Sequence, residues 1–212
     1  MRGLTVALPK GRLFERSLQL VEASGLRFHA ARSDSRRLMF ADERSGSRMI
    51  LVKPVDVVTY VEHGAADVGI VGEDVLYESG VDVLEPLTLP FGQCRIVVAG
   101  TPGQRNANLR LMTNLRVATK YPRLTRDYFA RRGLSAELIA LSGSVELGPA
   151  IGLADLLVDV VDTGRTLRDN GLVEIETILR CAACVIVNRA SQVIKSESVN
   201  QLLAQMQIAS SQ

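Results

Sequence analysis

The run Leu156-Leu157-Val158-Asp159-Val160-Val161-Asp162-Thr163-Gly164-Arg165-Thr166-Leu167 joins an acid-bearing apolar strand to a second acid and a glycine-centred, hydroxyl-rich turn. Thr166 through Asn170, closed by Gly171, read as a short helix. A strand feeding such a turn and then a helix start aims free backbone N–H groups and the positive end of a helix dipole at one point, which suits an anion. Thr163 and Thr166 add hydroxyl donors, and Arg165 adds a charge-assisted one. Gly164 would let the backbone come close to the bound group. Asp159 and Asp162 would repel a phosphate, so they are better used on sugar hydroxyls or on a bridging Mg²⁺. Phosphate, ribose and metal together point to a phosphoribosyl group. The same residues also read as an ordinary capped strand–turn–helix, because Asp, Thr and Gly favour such turns anyway.

Two other stretches share this grammar. Leu4 to Leu8 is a short strand, Pro9-Lys10-Gly11-Arg12 follows it, and an amphipathic helix starts at about Leu13 with Phe14, Leu18 and Val21 on one face and Gly25 as its stop. Leu138 to Leu141 is a strand followed by Ser142-Gly143-Ser144 and a helix start at Val145-Glu146-Leu147. In α/β sheets ligands gather outside the carboxyl ends of strands. Glycine turns at three such ends, carrying Lys10, Arg12, Arg165 and four hydroxyls, imply a ligand with several phosphates.

The elements that must position these turns alternate along the chain. Strands are expected at Arg48 to Lys53, Asp67 to Gly72, Gln93 to Gly100 and Leu115 to Lys120, with a short extended piece at Val81 to Leu84. Helices are expected from Pro54 through Val61, over Glu73 to Glu78, and from Thr125 to Arg132. Thr101 to Asn114 reads as a loop, Val173 to Asn188 as strand-rich, and Lys195 to Ile208 as a terminal helix with Val199, Leu202, Leu203 and Met206 inward. Such alternation argues an α/β fold with mostly parallel sheets. Two sheet-centred halves are expected, residues 1–90 with 181–212 and residues 91–180, joined near Pro86 to Phe91 and Thr177 to Ala183. A double crossing of this kind would let a cleft close on a ligand.

Composition excludes several classes. At 212 residues and 47% hydrophobic content the chain can bury a sizeable core. Trp is absent and aromatics are few, so stacking platforms for single-stranded nucleic acid are scarce. A net charge of +2 without like-charge runs gives no footprint for duplex nucleic acid. No apolar run approaches the ~18 residues of a membrane span, and the N-terminal strand is too short for a signal sequence. Three cysteines, an odd number, fit a reducing cytoplasm better than a disulfide framework. Cys181-Ala182-Ala183-Cys184 lies in a β-like run, where thiols three apart diverge, so core packing is the favoured reading. His29 and His63, the two histidines, read as surface or cap residues.

Several stretches together are more specific than any pattern. They are Leu8-Pro9-Lys10-Gly11-Arg12, Asp34-Ser35-Arg36-Arg37-Leu38, the block from Lys53-Pro54 through Thr59-Tyr60-Val61-Glu62-His63-Gly64 to Asp67-Val68-Gly69, Ala118-Thr119-Lys120-Tyr121-Pro122, Gly143-Ser144-Val145-Glu146-Leu147, and Asp159 to Leu167. In this order they resemble the ATP phosphoribosyltransferases of histidine biosynthesis, in the short form of the catalytic subunit. The resemblance covers essentially the whole chain. It implies a two-lobed fold like the type II periplasmic binding proteins. It also implies transfer of a phosphoribosyl group from phosphoribosyl pyrophosphate to N1 of ATP, with Mg²⁺ held by substrate phosphates. A histidyl-tRNA synthetase-like regulatory subunit is implied as partner, in a dimer or larger hetero-oligomer, and the C-terminal regulatory domain of long forms is expected to be missing.

By the same resemblance, Arg36 and Lys53 would meet the departing pyrophosphate. Asp159, Asp162, Thr163, Gly164, Arg165 and Thr166, with Glu146, would hold phosphoribosyl pyrophosphate. Lys10, Gly11 and Arg12 would hold ATP. On the residues alone, Arg36 reads equally as a solvated charge beside Arg32 and Arg37, and a helix cap is the alternative reading of Glu146. Lys53 supplies charge without the bidentate fork of an Arg that some relatives carry there. The wording at Cys181 to Cys184 and at Asn188 to Ser191 departs from the commoner pattern, away from the cradle. Two other classes compete. A solute receptor of the same fold would want an export signal. A salvage-type phosphoribosyltransferase would want adjacent acids before its turn, whereas two valines separate Asp159 from Asp162.

Overall fold

A computed structural model of the chain describes residues 3–28, 36–105 and 114–211. His29, Arg32, Asp34, Ser35 and much of the expected Thr101–Asn114 loop lie outside the described residues. The first elements are β1 (Thr5–Pro9), α1 (Phe14–Ala23), β2 (Met39–Asp42), β3 (Ser47–Val52), α2 (Pro54–Glu62), β4 (Val68–Gly72), α3 (Glu73–Ser79) and β5 (Leu84–Thr88). Next come β6 (Cys94–Gly100), β7 (Arg116–Thr119), α4 (Pro122–Arg131), β8 (Glu137–Ala140), α5 (Leu147–Ala150), β9 (Leu156–Val161) and α6 (Arg165–Asp169). The chain ends with β10 (Val173–Cys181), β11 (Ala183–Val187), α7 (Arg189–Ile194) and α8 (Ser196–Ser210).

These form two compact units, Met1–Gly92 with Ala182–Gln212, and Gln93–Cys181. The first unit holds a six-stranded sheet in the order β2-β3-β1-β4-β11-β5. Its strands β1, β4 and β11 are buried along their whole length because both faces of the sheet are covered there. Val6, Leu8, Met49, Leu51, Val68 and Ile70 pack toward Phe14, Leu18 and Val21 of α1 and Val199, Leu202 and Met206 of α8. The alternate residues Ala7, Ile50, Val71 and Ile186 pack toward Val57, Val58 and Val61 of α2. Gly69 is small for a packing reason. A Cβ there would lie 2.8 Å from both Val57 Cγ1 and Val61 Cγ2, so α2 sits directly on β4.

The second unit holds a five-stranded sheet in the order β10-β6-β9-β7-β8. Ile96, Val98, Val117, Leu156 and Val158 face Tyr121 and Phe129 at α4. Val97, Ala99, Ala118, Leu157 and Val161 face Val145, Leu167 and Leu172 on the other side.

Both sheets are mixed, which corrects the expectation of mostly parallel ones. Parallel pairing is confined to β3–β1–β4 and to β9–β7–β8. The antiparallel partners are the strands that connect the units, β11, β5, β10 and β6, and the hairpin strand β2. Hydrophobic runs do not reveal strand direction, because a strand buried on two faces reads the same either way. β2 went unread in the sequence because its alternation, Met39 and Ala41 out against Phe40 and Asp42 in, buries a polar residue. Asp42 is satisfied there by the N–H of Arg44 at 3.1 Å and the hydroxyl of Ser45 at 2.7 Å, which close the hairpin turn. The extended piece expected at Val81 to Leu84 lies later, at β5. α4 begins at Pro122, a residue preorganised for a first helical turn. α7 is separate from α8 and is capped by Asn188, whose side chain accepts the Ser191 N–H at 2.9 Å.

The two thiols of the C-x-x-C stretch part company. Cys181 packs with Ile96 and Phe129, and Cys184 with Ala7, Ile50 and Ile186. Both are buried and neither is in a disulfide, and burial first, then the nearby Glu85 carboxylate, pushes the Cys184 thiol far up. That suits an inert core residue.

Candidate active site

In the second unit the carboxyl ends of the parallel strands β8, β7 and β9 share one edge, fixed by the register Thr119↔Ala140 and Thr119↔Val158. Beyond these ends come Ser142-Gly143-Ser144 after β8, the exposed Lys120 after β7, and Asp162 to Thr166 after β9. Asp159 is half-buried near the end of β9, and its Oδ1 accepts the Val160 N–H at 2.8 Å. Asp162, Thr163, Arg165 and Thr166 are exposed, whereas Gly164 is buried. Gly164 has φ +73°, a left-handed conformation that disfavours a Cβ.

The structure gives Gly164 a second reason. An added Cβ would lie 3.2 Å from Arg168 Nη1 and 3.3 Å from Glu174 Oε1, so this chain's own side chains fill the space. The expectation that the missing Cβ makes room for a ligand is thereby revised. Arg95 Nη1 donates to the carbonyl of Asp162 at 3.2 Å, and Arg168 Nη1 donates to the carbonyl of Thr163 at 3.1 Å. Glu174 grips Arg95 through Nε at 3.2 Å and through Nη2. This bidentate hold raises the Arg95 pKa above its ordinary value. The sequence reading missed all three residues. The available signal was Arg95 itself, a charge inside an otherwise apolar strand.

Arg165 pairs with Asp169 at 3.5 Å on the exposed surface of α6, an i,i+4 pair of small energetic weight. Glu146 precedes α5 in helical conformation, and its side chain makes no capping hydrogen bond. The capping alternative for Glu146 therefore finds no support. Two residues earlier Ser144 sits at φ +50°, an uncommon conformation for a residue with a Cβ.

In the first unit, parallel register pairs Pro9 with Val52, the last residues of β1 and β3. Lys10 and Lys53 are the next residues on these neighbouring strands, so two cations leave one edge side by side. The Lys10 N–H donates to the Val52 carbonyl at 2.7 Å, which fixes the turn. Gly11 follows with φ +86°, its carbonyl accepts the Phe14 N–H at 3.0 Å, and α1 begins. Arg12 and Lys53 are exposed and Lys10 is half-buried. Arg36 is exposed and lies two residues before Leu38, whose carbonyl accepts the Leu51 N–H at 2.9 Å. The antiparallel β2–β3 pairing thus delivers Arg36 to the edge that Lys53 occupies. Each half of the predicted site is gathered on one edge of its own sheet. His63 is exposed at the C-terminal cap of α2, as read from the sequence.

Two α/β units, each built on a mixed sheet and crossed twice by the chain, define the fold class of the type II periplasmic binding proteins. The aliphatic sulphonate binding protein SsuA of Escherichia coli shares it, with a TM-score of 0.58 at 14% identity over 99% of this chain and 73% of that one. The family model for ATP phosphoribosyltransferase matches residues 53–208. Relatives named ATP phosphoribosyltransferase are 47% identical in Syntrophotalea carbinolica, over 96% of this chain and 94% of that protein. A Geobacillus protein of that name is 48% identical, over 94% and 95%. A solved structure described as the ATP phosphoribosyl transferase (HisG:HisZ) complex from Thermotoga maritima superimposes with a TM-score of 0.84 at 35% identity, covering 97% of this chain and 98% of that one. The chain belongs to the ATP phosphoribosyltransferase family. Its reaction is a pentosyl transfer that joins N1 of ATP to the ribose C1 of phosphoribosyl pyrophosphate, releases pyrophosphate and opens histidine biosynthesis.

Proposed function

We propose that the two edges divide the substrates. The turn from Asp159 to Thr166, with Glu146, holds phosphoribosyl pyrophosphate: its backbone N–H groups and hydroxyls take the 5-phosphate, and its acids take the ribose hydroxyls. Lys10, Gly11 and Arg12 hold the ATP triphosphate, and Arg36 and Lys53 meet the leaving pyrophosphate. The observation that carries this reading is the Pro9↔Val52 register, which sets Lys10 and Lys53 on adjacent strand ends. Cations crowded at one edge repel one another unless a polyanion neutralises them.

The chemistry asks for such cations more than for a base. Adenine N1 attacks the anomeric carbon with a lone pair already available. The barrier lies in breaking the bond to pyrophosphate while positive character builds on the ribose. Arg36 and Lys53 lower it by binding the departing charge more tightly than the ground state. Aligning N1 with the anomeric carbon adds the entropic advantage of a held encounter.

Among the described residues no three His, Cys, Asp or Glu side chains converge on a metal position. The donor set fits Mg²⁺ that arrives on substrate phosphates, with Asp159 and Asp162 as the carboxylates able to touch it. When bound there, Mg²⁺ neutralises charge on the pyrophosphate leaving group. Three cysteines without a disulfide suit a reducing cytoplasm. A regulatory subunit similar to histidyl-tRNA synthetase completes the reading, supported by the likeness to the HisG:HisZ complex.

The test measures pyrophosphate release from ATP and phosphoribosyl pyrophosphate with Mg²⁺. Lys53→Met is expected to cut kcat by about a hundredfold, and Lys10→Met to raise the KM for ATP with the other KM unchanged. A Lys53→Met rate within about twofold of the parent would overturn the assignment of that residue.

A further inference from the structure

We propose that Arg95, Arg168 and Glu174 are positioning residues that aim the backbone of the Asp162–Gly164 turn at the 5-phosphate. This inference rests on reading that turn as the phosphate site.

The argument begins with the peptide plane. Among the described residues there is no cis peptide bond, and in a trans peptide the N–H points opposite to the C=O. The Asp162 carbonyl is held by Arg95 at 3.2 Å, so the Thr163 N–H points away from Arg95. The Thr163 carbonyl is held by Arg168 at 3.1 Å, so the Gly164 N–H points away from Arg168. Glu174 holds Arg95 through two bonds, and Glu174 Oε1 and Arg168 Nη1 lie 3.3 and 3.2 Å from the position of a Gly164 Cβ. One side of the turn is thus backed by a charged cluster and the donors are presented on the other. A carbonyl turned toward a phosphate would repel it, so fixing both carbonyls behind the turn removes the worst alternative geometry. The sheet supplies the rigidity. Arg95 and Glu174 lie on β6 and β10, paired in long antiparallel register and joined to β9 through β6.

A structural role and a positioning role give different results. The readout is calorimetric binding of ribose 5-phosphate to the full chain, with ATP binding as control because its site is assigned to the other unit. Arg95→Met is expected to weaken ribose 5-phosphate binding by about tenfold or more while ATP binding stays within about twofold, and Arg95→Lys to recover part of the loss. Glu174→Met separates positioning from bulk charge. It removes a negative charge near a phosphate, so electrostatics alone would tighten binding, whereas releasing Arg95 from its anchor should weaken it.

Tighter binding by Glu174→Met, or equal weakening of both ligands, would overturn the inference. So would unchanged binding in Arg95→Met while Thr163→Ala combined with Thr166→Ala weakens it; the phosphate reading would then stand without its supports. Unchanged binding in every variant would remove the phosphate reading and this inference with it. If Arg95→Met does not fold, Arg168→Met replaces it, since that side chain is on the exposed surface of α6. A loss of about fivefold or more for ribose 5-phosphate alone is then the supporting result, and no loss the opposing one.

Discussion

Lys195 Nζ lies 2.8 Å from Asp67 Oδ2 and thereby ties the start of α8 to the entry of β4. Asp67 is 4% exposed and also accepts the Ser191 hydroxyl at 2.6 Å and the Thr5 N–H at 2.8 Å. Burial by itself would raise its pKa. The hydrogen bonds from Lys195, Ser191 and Thr5, with the Lys195 charge, outweigh burial and hold the carboxyl below its ordinary value. A depressed folded-state pKa means that the unfolded chain binds the proton first. The stabilisation is therefore complete above the unfolded value of about 4 and is lost as pH falls through the lower folded value. Asp67→Asn is expected to cost about 2 kcal/mol at pH 7, with the gap to the parent closing in strong acid, measured by urea unfolding at both pH values. Because Asp67 precedes β4, at the end of the strand away from the edge proposed to hold substrate, the kcat of the folded variant should match the parent. A constant gap at all pH values would contradict this account.

Gly164→Ala tests the cradle turn. A Cβ at φ +73° costs about 1–2 kcal/mol and also crowds Arg168 and Glu174. Lower stability in urea is expected together with a higher KM for phosphoribosyl pyrophosphate. An unchanged KM would separate the turn from the substrate.

Arg36→Ala should slow the chemical step by about a hundredfold or more, and more than it weakens substrate binding, because its partner is charge that grows in the transition state. Single-turnover rates with saturating substrates decide this. A rate within about twofold of the parent would return Arg36 to a solvated loop charge.

Histidine inhibition should depend on the regulatory partner. Allostery requires two sites and a coupling free energy between them, and the effector site is proposed to arrive with the synthetase-like subunit. Titrating histidine against the chain alone, then with the partner added, is expected to show weak inhibition that becomes potent. Equal potency in both titrations would place the effector site within this chain.

The sequence by itself determined the local units. Strand, glycine turn and helix start are encoded within a dozen residues, so β1–α1, α2–β4 and β9–α6 were all legible from periodicity and turn chemistry. The ordered motifs carried the family, since Lys10–Arg12, Lys53–Gly69 and Asp159–Leu167 form a pattern that composition alone would not give. The tertiary structure decided what sits beside what. Sheet order and strand direction depend on pairings between distant residues, and a doubly buried strand carries no mark of either. Lys10 and Lys53 became neighbours only through the β1–β3 register. Glu174 reached Arg95 across 79 residues, and through Arg95 the turn at Asp162. Such contacts join side chains whose local sequence gives no reason to meet, and only the pairing of β6 with β10 and with β9 brings them together.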